Sequence, residues 1–154
     1  MLGRSHVIGA AACGVAAAAV SGHAPAEAVV VGAAATVTAK LPDIDRIVNS
    51  GPNHRSITHS VGIAGGLVVV LAVTIAQGLG ALGSAVIFGL AAGYLSHLAL
   101  DAATAASVPL LWPGGPRVSL GSIATGKFGE RVVVWALVAA AVVVALGSYG
   151  AGIT

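Results

Sequence analysis

His97 and Asp101 stand four residues apart, so on a helix their side chains share one face and can reach one ion from a rigid backbone. Taken alone, that pair fits a hydrogen bond at a helix end as well as it fits a metal. Two further stretches change the weighing: LPDID at 41–45, with Asp43 and Asp45, and HRSITH at 54–59, with His54 and His59. Six of the ten His, Asp and Glu residues thus fall in three short stretches, and His6 stands near the start of the chain. Imidazole and carboxylate donors together suit zinc, manganese or iron. The competing reading makes these residues interface groups and helix caps, for which Asp43 and Thr58 are of the right type.

The rest of the chain gives such residues little other reason to exist. It is 57% hydrophobic and 8% charged, with a mean hydropathy of +0.99, which describes a protein that lives in a bilayer. At 154 residues it is expected to form a single domain, 1–154. An ionisable side chain placed near hydrocarbon costs roughly 2.5–3.5 kcal/mol on insertion scales, so those retained are functional candidates. The net charge is +2, but the seven Lys and Arg residues are scattered singly, which argues against a nucleic-acid partner and for a role in membrane orientation. Cys13 is the only cysteine, so neither an intramolecular disulfide nor a cysteine metal site is possible, and helix packing is its expected role.

Three apolar stretches are long enough to cross a hydrocarbon core of about 30 Å: Val61–Gly80, Ala81–Leu100 and Val132–Gly150. Val7–Val20 and Ala28–Ala39 reach only about 21 and 18 Å as helices, and they are expected to form a short hairpin turned at SGHAP. There Gly22 suits a helix C-terminus and Pro25 the first turn of the next helix, while Pro42 ends that helix and leaves Asp43 and Asp45 at its mouth. The expected fold is an all-α integral membrane bundle of about five helices. In that arrangement all seven basic residues share one side, which the positive-inside rule makes cytoplasmic, with the N-terminus inside and the C-terminus outside. Trp112 and Trp135 then fall near the inner interface and Tyr149 near the outer one. The same arrangement carries His6, LPDID, HRSITH and HLALD to that inner side. The pairs Gly62/Gly66 and Gly89/Gly93 are expected to bring the third and fourth helices close, and steps of four extend the second pair to His97 and Asp101. The N-terminal segment resembles a signal peptide, with Arg4, an apolar run and small residues around HAPAEA. Cleavage would remove His6 and break the hairpin, so the segment is expected to be retained.

The chain resembles the YdjM-like family of small inner-membrane proteins, regarded as metal-dependent hydrolases. The resemblance rests on His6, LPDID, HRSITHS, GYLSHLALD ending at Asp101, Thr104, VPLLWP at 108–113 and Glu130. It covers most of the chain in order and spacing. Ser56 stands where the family usually has Gly, and Thr104-Ala105-Ala106-Ser107-Val108 replaces a Thr-Pro-x-Gly-Val turn, which leaves the shape of the loop after Asp101 open. More distantly, the order of His6, an aspartate, His59 and His97-x3-Asp101 looks like the helical zinc-dependent phospholipase C and P1 nuclease group. That likeness implies that Asp101 bridges two ions, with His59, His97 and an aspartate of LPDID on one and His6 on the other. That group's third zinc needs two downstream histidines and a Glu, for which Glu130 is the single candidate and no His follows His97, so one or two ions are expected. Glu130 joins His54 and Arg55 as an expected catalytic residue.

The implied activity is hydrolysis by a water activated on one or two divalent ions, zinc foremost and manganese or iron as alternatives. The expected substrate is a phosphoester or lipid headgroup at the cytoplasmic face of the inner membrane, and the lipid bilayer is the expected partner. His54 is open to three roles, as ligand, as support for a ligand or as substrate contact. Arg55 is equally a fork for an anionic group or a membrane anchor. Tyr94 can support the site or simply pack at the interface. Two alternatives stand beside hydrolysis: a metal-ion or proton transporter, and a noncatalytic protein with a structural metal. Transporters usually carry their ionisable groups near the bilayer midplane and show internal repeats, neither of which this chain displays.

Overall fold

The computed structural model describes residues 1–44, 58–105, 107–109 and 115–150. Gly22, in the left-handed region at φ 78°, turns the chain between α1 (Gly3–Val20) and α2 (Pro25–Thr38). Pro25 opens α2, and the Glu27 carboxylate accepts from the Ala24 N–H at 3.0 Å, which gives the helix a firm start in the expected hairpin. A 3-10 turn, Leu41–Ile44, follows α2. Then come α3 (Val61–Ala76), α4 (Ala81–Ala102) and α5 (Phe128–Gly150). Between α4 and α5 a two-residue ladder pairs β1 (Val108–Pro109) with β2 (Arg117–Val118) in antiparallel register. The fold is the all-α membrane bundle expected from the sequence.

Among the described residues the three helices long and apolar enough to span are α1, α4 and α5, which corrects one assignment. The expected short helix α1 gains a turn from Gly3–His6 and reaches 18 residues, about 27 Å. The expected full span beginning at Val61 stops at Ala76 after 16 residues, about 24 Å, because Gln77 caps it and Gly78 takes φ 85°.

Helix α4 is the hub, packing against α1, α2 and α3, while α5 packs against α1. Gly89 and Gly93 do make a close helix contact, but with α2 in place of α3. A Cβ at Gly89 would lie 2.4 Å from the Val31 carbonyl oxygen, and one at Gly93 would lie 2.1 Å from that of Ala35. The Thr38 hydroxyl donates to Leu90 O across the same contact at 2.7 Å. Helix α3 instead rests on α4 through Ala64, Tyr94 and Leu98, and Gly66 has no neighbour within 4 Å of a modest side chain. The outward faces of α3 and α5 carry exposed Val69, Val70, Trp135, Val143 and Leu146, as lipid-facing helices do.

Candidate metal centre

Four side chains from three parts of the chain meet at one end of the bundle. His97 and Asp101 come from the last turns of α4, Asp43 from the 3-10 turn after α2, and His59 from the residue just before the cap of α3. Local structure fixes each. Ser60 caps α3 by accepting from the Ile63 N–H at 3.4 Å, so His59 sits where the chain turns into the helix. Asp43 is held by its own N–H, which donates to Lys40 O at 3.1 Å, and by the buried Pro42 beside it. His59, His97 and Asp101 have fully buried side chains, whereas that of Asp43 is 17% exposed, so the group opens outward on the Asp43 side.

The hydrogen bonds around the two imidazoles decide which nitrogens face inward. His97 Nδ1–H donates to Ala39 O at 2.6 Å, which leaves the lone pair of Nε2 aimed into the group. The single hydroxyl proton of Thr58 goes to Pro42 O at 2.5 Å, so the hydroxyl accepts from His59 Nδ1–H at 3.3 Å. His59 Nε2 therefore also presents a lone pair. Tyr94 completes this support by donating its hydroxyl proton to the Thr58 carbonyl. The capping role expected for Thr58 is thus replaced: Ser60 is the cap, and Thr58 orients a histidine.

The separations fit a cation. The two Nε2 atoms are 3.3 Å apart, and Asp101 Oδ2 lies 3.4 Å from His59 Nε2 and 3.5 Å from His97 Nε2. Asp43 Oδ1 lies 3.7 and 3.9 Å from the same two nitrogens. A tetrahedron with bonds of about 2.0–2.1 Å has edges of about 3.3–3.4 Å, so three donors already stand at ligand spacing and Asp43 stands slightly wide. Four acceptors facing one another at such distances repel unless a positive charge lies among them. Two imidazoles and two carboxylates at this spacing could hold a metal ion.

Asp101 faces two ways. Its Oδ2 belongs to this group, while its Oδ1 accepts from the amino group of Met1 at 2.8 Å and lies 3.2 Å from His6 Nε2. His6 stacks on His97 with ring centroids 3.7 Å apart and planes 15° from parallel, and neither of its buried nitrogens makes a well-directed hydrogen bond. His6 is thus adjacent to the four-donor group without being part of it. Glu130 is placed elsewhere: its buried carboxylate accepts from the Leu2 and Gly126 N–H groups and from the Ser5 hydroxyl. Asp45, His54 and Arg55 lie outside the described residues. The Ala39 and Pro42 carbonyls and the Thr58 hydroxyl, which orient the imidazoles, carry no signal in sequence beyond proximity to LPDID and HRSITH.

A helical membrane bundle with a histidine and aspartate group able to hold a metal ion at one end is thereby defined. The chain belongs to the YdjM inner membrane protein family, whose model matches residues 1–153. No curated protein and no solved structure matches it.

Proposed function

We propose that this protein is a membrane-embedded metal-dependent hydrolase of phosphoesters or lipid headgroups, using zinc at one or two positions. The observation that carries the reading is the inward convergence of His59 Nε2, His97 Nε2, Asp43 and Asp101 at the end of the bundle, with access on the Asp43 side. Such an end lies where headgroups would be, unlike the midplane position usual for transporters. Arg4, Lys40, Arg117, Lys127 and Arg131 gather at the same end, which favours an anionic substrate. By the rule that basic residues stay inside, that end faces the cytoplasm.

A zinc ion held by Asp43, His59, His97 and Asp101 would supply Lewis acidity, which lowers the pKa of water and offsets charge on a phosphoryl oxygen. The chain's own part is orientation. Ala39 and Thr58 hold the imidazoles with Nε2 inward, and Asp101 presents one oxygen to this group and the other to His6 and the Met1 amino group, so Asp101 and His6 would hold a second ion were one bound. The ligand order is also similar to that of the helical zinc phospholipase C and P1 nuclease group. Asp43, the most exposed of the four, borders the side from which a phosphoester would enter.

The test uses full-length protein in detergent, assayed with bis(p-nitrophenyl) phosphate and with phosphatidylglycerol vesicles before and after chelation. Turnover of either substrate, lost on chelation and restored by zinc, is expected. Zinc-replete protein that hydrolyses neither would end the enzymatic reading, and zinc flux in proteoliposomes would then favour transport.

A further inference from the structure

Glu130 is 1% exposed and sits in the first turn of α5, yet two of its three hydrogen-bond donors come from the far end of the sequence. Its Oε1 accepts from the Leu2 N–H at 2.8 Å and from the Ser5 hydroxyl, and its Oε2 accepts from the Gly126 N–H at 2.6 Å. Leu2 occupies the N-cap position of α1 and has no side chain able to accept, so the start of that helix lacks a cap of its own. The carboxylate of another helix accepts from the N–H of that N-cap residue, as the N3 carboxylate of a capping box does, and its negative charge suits the positive end of α1. One residue beyond Ser5 is His6, stacked on His97 and 3.2 Å from Asp101 Oδ1.

We propose that Glu130 is a positioning residue that clamps the start of α1 to α5 and thereby holds His6 against His97 and Asp101. It acts through His6 and touches neither metal nor substrate. The effect on metal rests on His6 serving as a ligand, but the clamp itself does not, so the two are tested separately.

The clamp is tested by diethyl pyrocarbonate modification of metal-free, full-length protein in detergent, with peptide mass mapping of His6, His59 and His97. In wild type all three, being buried, should react slowly. In Glu130→Gln, His6 should react at least tenfold faster while His59 and His97, held by Thr58 and Ala39, stay slow. Ser5→Ala, which removes one bond of three, should give a smaller change of the same pattern. Equal acceleration of all three histidines in both variants would mean a general stabilising role, and unchanged His6 reactivity would mean that no clamp exists; either overturns the proposal. The second arm is a double-mutant cycle on zinc affinity. Glu130→Gln should weaken zinc about tenfold in the wild-type background and leave it unchanged when His6 is already Ala. If His6→Ala leaves zinc affinity intact, His6 is no ligand, and the modification pattern alone then decides the clamp.

Discussion

His59 and His97 are competent ligands because each Nδ1 proton is already directed to an acceptor, one to the Thr58 hydroxyl and one to Ala39 O. Removing a ligand differs from removing its support, and the two losses should separate in size. Asp101→Asn keeps shape but removes charge, and with His97→Ala it should abolish stoichiometric zinc while leaving membrane insertion intact. Full metal content in both variants would dismantle the centre. Thr58→Val keeps the ligands but frees the His59 ring, and should weaken zinc by roughly 10–100-fold, measured by competition with a chromophoric chelator. The His97 and Asp101 pairing was legible because a helix brings residues four apart onto one face. His59 and Asp43 were legible as members of polar stretches in an apolar chain. Their supporting carbonyls were not, since any residue supplies one and tertiary placement alone selects which.

At the level of elements, the glycine stripe is what lets α4 deliver its ligands. Gly93 lies one turn before His97 and meets the Ala35 carbonyl of α2 too closely for any side chain. Gly93→Ala should therefore cost at least about 1–3 kcal/mol and weaken zinc as well, because Ala39, the acceptor for His97, follows the same helix. Gly66→Ala meets nothing and should be neutral or slightly stabilising by helix propensity, which makes it the control in thermal unfolding in detergent. The stripe could be read from spacing, but its partner helix could not, since Gly62/Gly66 and the α2 surface offered equally small residues. The loop after Asp101 shows a different local conflict. Ser107, at the Gly place of the family turn, takes φ 49°, a region costly to residues with a Cβ. Ser107→Gly removes that cost and loses the 3.3 Å bond from Arg117 Nε to the Ser107 hydroxyl, for a net gain of about 0.5–1 kcal/mol. An unchanged or lower unfolding temperature would mean that the Arg117 contact outweighs the backbone.

For the molecule as a whole, function depends on one end of the bundle being chemically unlike the rest. The four candidate ligands enter after α2, before α3 and at the end of α4, with His6 beside them at the start of α1, so alternating helix directions alone bring them together. The described basic residues follow the same rule: Arg4 and Arg131 lie in first turns, Lys40 just after α2, and Arg117 and Lys127 between α4 and α5. Charge and site are thus tied to one side, and finding the side of either finds the other. Helix lengths were harder to read, because α1 recruited polar Ser5 and His6 whereas α3 stopped early at Gly78. In a Cys13→Ala background, single cysteines at Gly80, between α3 and α4, and at the exposed Leu120 can be labelled with an impermeant maleimide in spheroplasts. Gly80→Cys should label from outside, and Leu120→Cys only after permeabilisation. The opposite pattern would turn the metal centre outward and move its substrate to the outer leaflet. Labelling of both from outside would mean that α4 does not cross, because a crossing α4 must hold Gly80 and Leu120 on opposite faces of the bilayer.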